Sequence, residues 1–557
     1  MKRLFFAPLL ASVLLAGCGA TPDSGASSRP TATSTGPVLF DDLGSYSRPL
    51  SGAAPAVQRW FDQGMRLVYA FNHQAAAEAF AEAARLDPAC AMCLWGQALA
   101  LGPNINAPML PEALVPAHDL SRRALALAGS AAPADRALIE ALAQRYVADP
   151  PDDRSALDHA YAQAMAQVVR AHPDDLDAAV LYAEALMDLS PWSYWGRDGE
   201  PLEHTQALVA ALESVLARDP RHIGAIHYYI HAVEASPDPG RAEPHADTLE
   251  ALAPGAGHLV HMPAHIYIRV GRYHDATLNN LRATEADDRF LAICGSGSGS
   301  NGVYPLGYVP HNWHFMAMSA GLEGNARMSL HAARQTAARV DAALLDELTF
   351  LQAFLVTPLQ AQVRFGRWDE ILATAQAPDA RPYPRAIWHY ARGLAWLARG
   401  DTAAAAAELA RLEAIAGDPA LAQVWVSTPN TAVPVVAIAT DVLRGELAAA
   451  HGRFDEAADL LRRAADAEAA LGYMEPPDWA LPVRQTLGAV LLAGGRAADA
   501  EAAFRADLAR WPENGWSLRG LEAALRAQQR GDEADAVQAR FAAAWQWADT
   551  ALDGPRL

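Results

Sequence analysis

Bulky and small apolar residues follow one another along this chain in an order that returns about every 34 residues. Between Val57 and Cys90 the order is Trp60, Gly64, Ala76, Phe80, Ala83 and Pro88. A large residue followed by a small one marks a first helix, and the Ala-aromatic-Ala spacing marks a second. The small positions let two helices approach closely, and the bulky ones fill the groove between them. Proline then ends the unit because it has no backbone N–H to donate. The pattern recurs at Gly271, Tyr273 and Ala276, at Gly366 and Trp368, and at Gly452, Phe454 and Ala457. One of its clearest copies is Gly488, Gly495, Ala500, Phe504 and Pro512. Pro220 and Pro254 close two consecutive helices one period apart, and about eleven units fit between residues 55 and 548.

This order resembles the tetratricopeptide repeat (TPR). The resemblance implies an all-α, right-handed superhelical solenoid of helix-turn-helix units, each touching only its neighbours, with the first helix of each pair on the concave side. It is specific for fold and nearly silent on function. Three stretches interrupt the period: 102–118, 190–202 with Trp192 and Trp195, and 292–308 with a Gly-Ser run from Gly295 to Ser300. Long connections in a regular array often carry function.

The repeats occupy residues 51–557. Ahead of them, Lys2 and Arg3 precede an apolar run from Leu4 to Leu15, followed by Leu15-Ala16-Gly17-Cys18. That run is too short to span a bilayer and reads as a signal peptide over residues 1–17. Its end is similar to a bacterial lipobox, which implies cleavage before Cys18, lipidation of that thiol and attachment to a membrane. Gly19 follows where an inner-membrane retention signal would place Asp, so the resemblance points to the outer membrane, facing the periplasm. Residues 18–50, rich in Ser, Thr, Gly and Pro, read as a flexible tether.

Charge and cysteine content narrow the field. A net charge of −20 argues against a nucleic-acid partner. Cys90 and Cys93 form a C-x-x-C in a chain bound for an oxidising compartment, so a disulfide stands beside simple packing of two small residues. Leu94 follows where c-type haem attachment needs His, and two further thiols for a four-Cys zinc site are missing. The Gly-Ser run lacks the Lys and the preceding strand of a phosphate loop.

The histidines stand apart. Ten of the 18 fall between His222 and His314. In the repeats that begin at Ile223 and Gly257, His227 and His231 occupy the fifth and ninth places, and His261 and His265 occupy the same places 34 residues on. A third repeat, phased by Gly324, puts His314 in the fifth place and His311 in the second; His258 takes the second place of the middle repeat. The TPR resemblance implies that these places line the concave groove. Residues four apart share a helix face, with Cβ atoms about 5–6 Å apart, and packed helices lie about 8–10 Å apart. Imidazoles from adjacent helices could then reach one ion, and neutral imidazole suits copper, zinc and iron. His227, His231, His261, His265 and His314 are the expected ligands. His258, His311, His222, Glu184 and Glu234 are further candidates, and Arg269, Trp192 and Trp195 are expected along the groove. His245 and His274 fall on other phases and read as surface, while His73 and His389 read as packing residues.

Two functions follow. The first is a membrane-anchored scaffold that grips a partner protein, peptide or small ligand in a His-lined groove. The second is a metal-binding protein or metal-dependent enzyme using copper, zinc or iron. No nucleophile motif, phosphate loop or dinucleotide fingerprint accompanies the histidines. The segments Asp87–Gly96, Gly102–Asn106, His258–His265 and Pro310–His314 resemble those of His-rich bacterial TPR proteins, which implies that the histidine helices form one standing unit.

Overall fold

The computed structural model describes residues 37–294 and 302–555. The signal peptide, Cys18 and the Gly-Ser run therefore lie outside the described residues. Among those described there are twenty-five α-helices and no strand, only three isolated β-bridges. The chain is a TPR-like solenoid of antiparallel helix pairs. None of its described helices is long and apolar enough to cross a membrane.

The repeat pattern acts through one contact. A Cβ on Gly64 would stand 2.5 Å from the ring of Phe80, and so would one on Gly96. The Phe80 ring of helix His73–Leu86 is thus slotted between glycines of the helices Pro55–Tyr69 and Ala91–Ala100. Near the other end Phe504 lies in the same way between Gly488 and Gly520, where added Cβ atoms would stand 2.6 and 2.3 Å from its ring. A missing side chain on either side admits the aromatic, which is why the large-small order repeats.

Further contacts join parts of the chain that the period alone keeps apart. The turn after helix Pro55–Tyr69 meets helix Ile223–Val233, where the Tyr69 carbonyl takes a hydrogen bond from His227. Later repeats return to the middle of the chain: Tyr273 donates to the Pro512 carbonyl at 2.7 Å, and Trp516 donates to the Gly321 carbonyl at 2.9 Å. The superhelix closes on itself, and its central concave face becomes an interior.

The expected tether is shorter than residues 18–50. Leu43 and Arg48 are buried, and Arg48 pairs with Asp135 at 2.8 Å, Asp175 at 2.8 Å and Asp177 at 3.1 Å. Tyr46 also donates to Asp177. Charge complementarity holds residues 40–50 against the solenoid. Cys90 and Cys93 are joined by a disulfide at the start of helix Ala91–Ala100.

Candidate metal centre

Three helical segments bring six imidazoles together: Ile223–Val233, the kinked pair Gly257–His261 and Pro263–Val270, and Val309–Glu323. A π-helical turn, Tyr304–Tyr308, leads into the last of them and sets Tyr308 against His258, ring centroids 4.7 Å apart. Turns of this kind are frequent at functional sites. The donor atoms fall into two groups, His227/His231/His258 and His261/His265/His311, each within 4.8 Å of one another.

The groove expected here is filled. His227, His231, His258, His261 and His265 are 0–2% exposed, and only His311 of the six is partly exposed. Phe71 stacks on His258 at 5.5 Å and on His231 at 5.9 Å. Trp192 meets His231 edge-on at 5.3 Å, and Phe315 packs against His265 at 4.8 Å. Trp195 turns its indole N–H onto the Ala232 carbonyl, and Arg269 contacts the Glu234 carbonyl and lies 3.3 Å from the Tyr473 hydroxyl. All three expected groove residues wall a buried core rather than line an open channel.

What each ring donates outward fixes what it presents inward. His227 donates Nδ1–H to the Tyr69 carbonyl at 2.6 Å, a group that can only accept. His231 donates Nδ1–H to Glu234 Oε1 at 2.9 Å. His261 faces Asn280 Oδ1 at 2.7 Å, and because Asn280 spends its amide N–H on the Ala276 carbonyl, the ring is again the donor. His265 Nδ1 lies 2.5 Å from Glu234 Oε2 and 3.3 Å from Glu475 Oε2. His227, His231 and His261 therefore carry their proton on Nδ1 and turn the Nε2 lone pair toward their neighbours, while His265 sets its Nδ1 against two carboxylates. Those neighbours are close: His227 to His258 is 3.1 Å, His261 to His265 is 2.9 Å and His261 to His311 is 3.2 Å, all between Nε2 atoms.

Electrostatics agree. Burial, reinforced by the neighbouring rings, pushes His227, His258, His261 and His311 well below the usual histidine range, so they are neutral at pH 7. Burial would raise Glu234, but His265 and His231 outweigh it and hold the carboxyl at about 2. His265 is the exception: burial lowers it, while Glu234 and Glu475 lift it to about 9. A proton on His265 Nε2 can settle the contact with His261. A neutral His258 can likewise donate Nε2–H to His227 at 3.1 Å, but His231 Nε2 and His258 Nδ1 stay buried without a partner. Each such orphan costs about 1–3 kcal/mol.

Several expected ligands stand elsewhere. His314 is half-buried against Phe354, ring centroids 5.4 Å apart, because the fifth place of its helix faces the following repeat, where Thr357 and Gln360 line the same cavity. His222 caps helix Ile223–Val233, accepting from the Ala225 N–H at 3.2 Å, with Nε2 3.3 Å from Asp177. Glu184 belongs to a buried cluster with Arg145 and Asp188, and burial raises its carboxyl there. Glu234 does join the core, behind the rings rather than among them. Sequence reasoning missed Glu475, Asn280 and the Tyr69 carbonyl, none of which shares the histidines' repeat phase. His389 pairs with Glu408 at 2.6 Å, and His73 packs on Phe71.

Neither a family model nor a curated protein matches the chain. Among solved structures it is similar to a human IFIT1 dimer with m7Gppp-AAAA (12% identity, 90% of this chain and 96% of that one, TM-score 0.32). It is also similar to yeast Tom70 (14% identity, 87% and 89%, TM-score 0.26) and to the P58(IPK) TPR domain (12% identity, 86% and 99%, TM-score 0.22). Scores this low decide nothing about the site, and the fold assignment rests on the helix pairing itself.

Proposed function

We propose that this protein binds a transition metal in its histidine core, and that a lipid on Cys18 holds it at a bacterial membrane facing the periplasm. The observation that carries the reading is the outward pinning of four rings by a carbonyl, a carboxamide and two carboxylates. Ligating histidines almost always donate their second N–H in this way, which fixes the tautomer and raises the basicity of the ligand nitrogen. The donors are all imidazole, which suits copper, zinc and iron and disfavours magnesium and calcium. The spacing also fits. Metal–nitrogen bonds of about 2.0–2.1 Å at tetrahedral to trigonal angles put ligand nitrogens about 3.3–3.6 Å apart; three observed pairs at 2.9–3.2 Å need to open by a few tenths of an ångström, and the other pairs lie within 4.8 Å.

Elemental analysis after chelator-free purification tests this. Copper, zinc or iron at near-stoichiometric level or above, lowered in His261→Ala/His265→Ala, is the expected result. A folded chain that takes up none of the three ions on reconstitution would refute it. A helical-repeat fold also suggests a protein partner. With the central face filled by side chains, such a partner would use the outer surface.

A further inference from the structure

We infer that the six histidines form a paired centre for two adjacent cuprous ions, one in His227/His231/His258 and one in His261/His265/His311. This rests on the metal-binding reading above and goes further in number, charge and arrangement.

Number follows from geometry. One ion with bonds of about 2.0–2.1 Å cannot gather six rings spread over two helix faces and a third helix. Each triad, by contrast, has its three donor atoms within 4.8 Å of one another. The triads also touch. His231 and His265 have ring centroids 5.5 Å apart, and His258 and His261 have centroids 5.8 Å apart. Glu234 spans them from behind, one oxygen on His231 and the other on His265. A single carboxylate thus orients one ligand of each triad, so filling one site orders a ligand of the other.

Charge selects the ion. Neutral imidazoles bring no charge, and the anions facing the core are Glu234 and Glu475, with Arg269 4.0 Å from the second. Two divalent ions would place four positive charges in a buried, aromatic setting that offers two carboxylates, one of them 4.0 Å from the Arg269 guanidinium, and unpaired charge is costly there. Two monovalent ions bring half of that charge. Cuprous copper is monovalent, binds imidazole and is satisfied by three ligands, whereas zinc on three rings needs a further ligand such as water to complete its four. Three rings per site is the count offered here.

The test is an anaerobic titration of the purified full-length chain with Cu(I), competed against a chromophoric Cu(I) chelator, beside the same titration with Zn(II). Two Cu(I) per chain is the expected end point, with Zn(II) falling short of two. His258→Gln and His311→Gln should each lower the Cu(I) end point to one while retaining the wild-type helical circular dichroism. One Cu(I) per wild-type chain, or loss of all copper in both folded variants, would overturn the paired centre and leave the metal-binding reading standing. Two Zn(II) held as firmly as two Cu(I) would overturn the charge argument. Uptake of no metal would sink the underlying reading itself. Should either variant unfold, X-ray absorption of the Cu(I)-loaded wild type decides: a copper–copper scattering path supports the pair, and its absence overturns it.

Discussion

Replacing Glu234 with Gln isolates the part of the site that the structure singles out most sharply. The carboxylate is fully buried and is held at about 2 by its two histidine neighbours against the upward push of burial, so at pH 7 it is ionised and sets one oxygen against each of two imidazoles. Oε1 takes the proton of His231 Nδ1, and Oε2 lies 2.5 Å from His265 Nδ1. A carboxamide of the same shape offers one oxygen and one N–H. Whichever ring meets the N–H must become the acceptor at Nδ1, move its own proton to Nε2 and lose the lone pair that would ligate. Shape is conserved and one ligand is withdrawn. Losing an outer partner of this kind typically weakens metal binding 10–100-fold, about 1.4–2.8 kcal/mol at 1.4 kcal/mol per decade. Because one residue serves both rings, the upper part of that range is expected. Chelator competition at pH 7 on wild type and Glu234→Gln, with matched circular dichroism, reads it directly. An unchanged affinity and stoichiometry in the folded variant would refute the tautomer reasoning, since the variant cannot leave both Nε2 atoms free.

Other perturbations separate the core from its surroundings. His314→Ala should leave metal content unchanged, because His314 packs on Phe354 away from both triads; elemental analysis checks this, and a loss of metal would put His314 back among the ligands. Gly488→Ala should destabilise the chain by about 1–3 kcal/mol in urea unfolding, since its Cβ would stand 2.6 Å from the Phe504 ring and overpack the helix pair. Asp177→Asn should cost about 1–3 kcal/mol, since Arg48 loses one of three buried carboxylate partners and keeps Asp135 and Asp175. Burial raises the Asp177 carboxyl, but His222 and Arg48 outweigh it and hold it well below the usual carboxylate range. Its stabilisation is therefore full above about pH 4, the unfolded value, and is lost as pH falls from there through the depressed folded value. Thermal melts between pH 3 and 7 should show an acid limb that is flatter in Asp177→Asn, and parallel limbs would refute the assignment.

The repeat was legible because its cause is local. Phe80 between Gly64 and Gly96 and Phe504 between Gly488 and Gly520 are contacts within or between adjacent units, so a 34-residue window contains all of their physics. The pairs His227/His231 and His261/His265 were legible for the same reason, four residues apart on one helix face. His314 shows where the period misleads. It stands ten residues before Gly324, as His261 stands ten before Gly271, yet it is the second-place residue His311 that reaches His261, at 3.2 Å. Helix Val309–Glu323 is the last of the three, so its fifth place faces the next repeat while its first turn still leans back on the previous one.

Whether the concave face is a wet groove or a dry core depends on how tightly the superhelix winds, and the period carries no information on that. It is decided by Tyr69 against His227, Arg269 against Tyr473 and Tyr273 against Pro512, contacts 158, 204 and 239 residues apart. Glu475 enters by the same route, from a loop after helix Phe454–Ala469, and no phase argument could have found it. The consequence is chemical. In an open groove hydrated histidines titrate near pH 6.5 and serve as polar contacts or a pH sensor. Closed over by Phe71, Trp192 and Tyr308, His227, His258, His261 and His311 stay neutral, and the buried rings crowd their Nε2 atoms together. The side chains that make a groove-binding reading plausible from sequence become, once buried, the donor set on which the proposed metal binding rests.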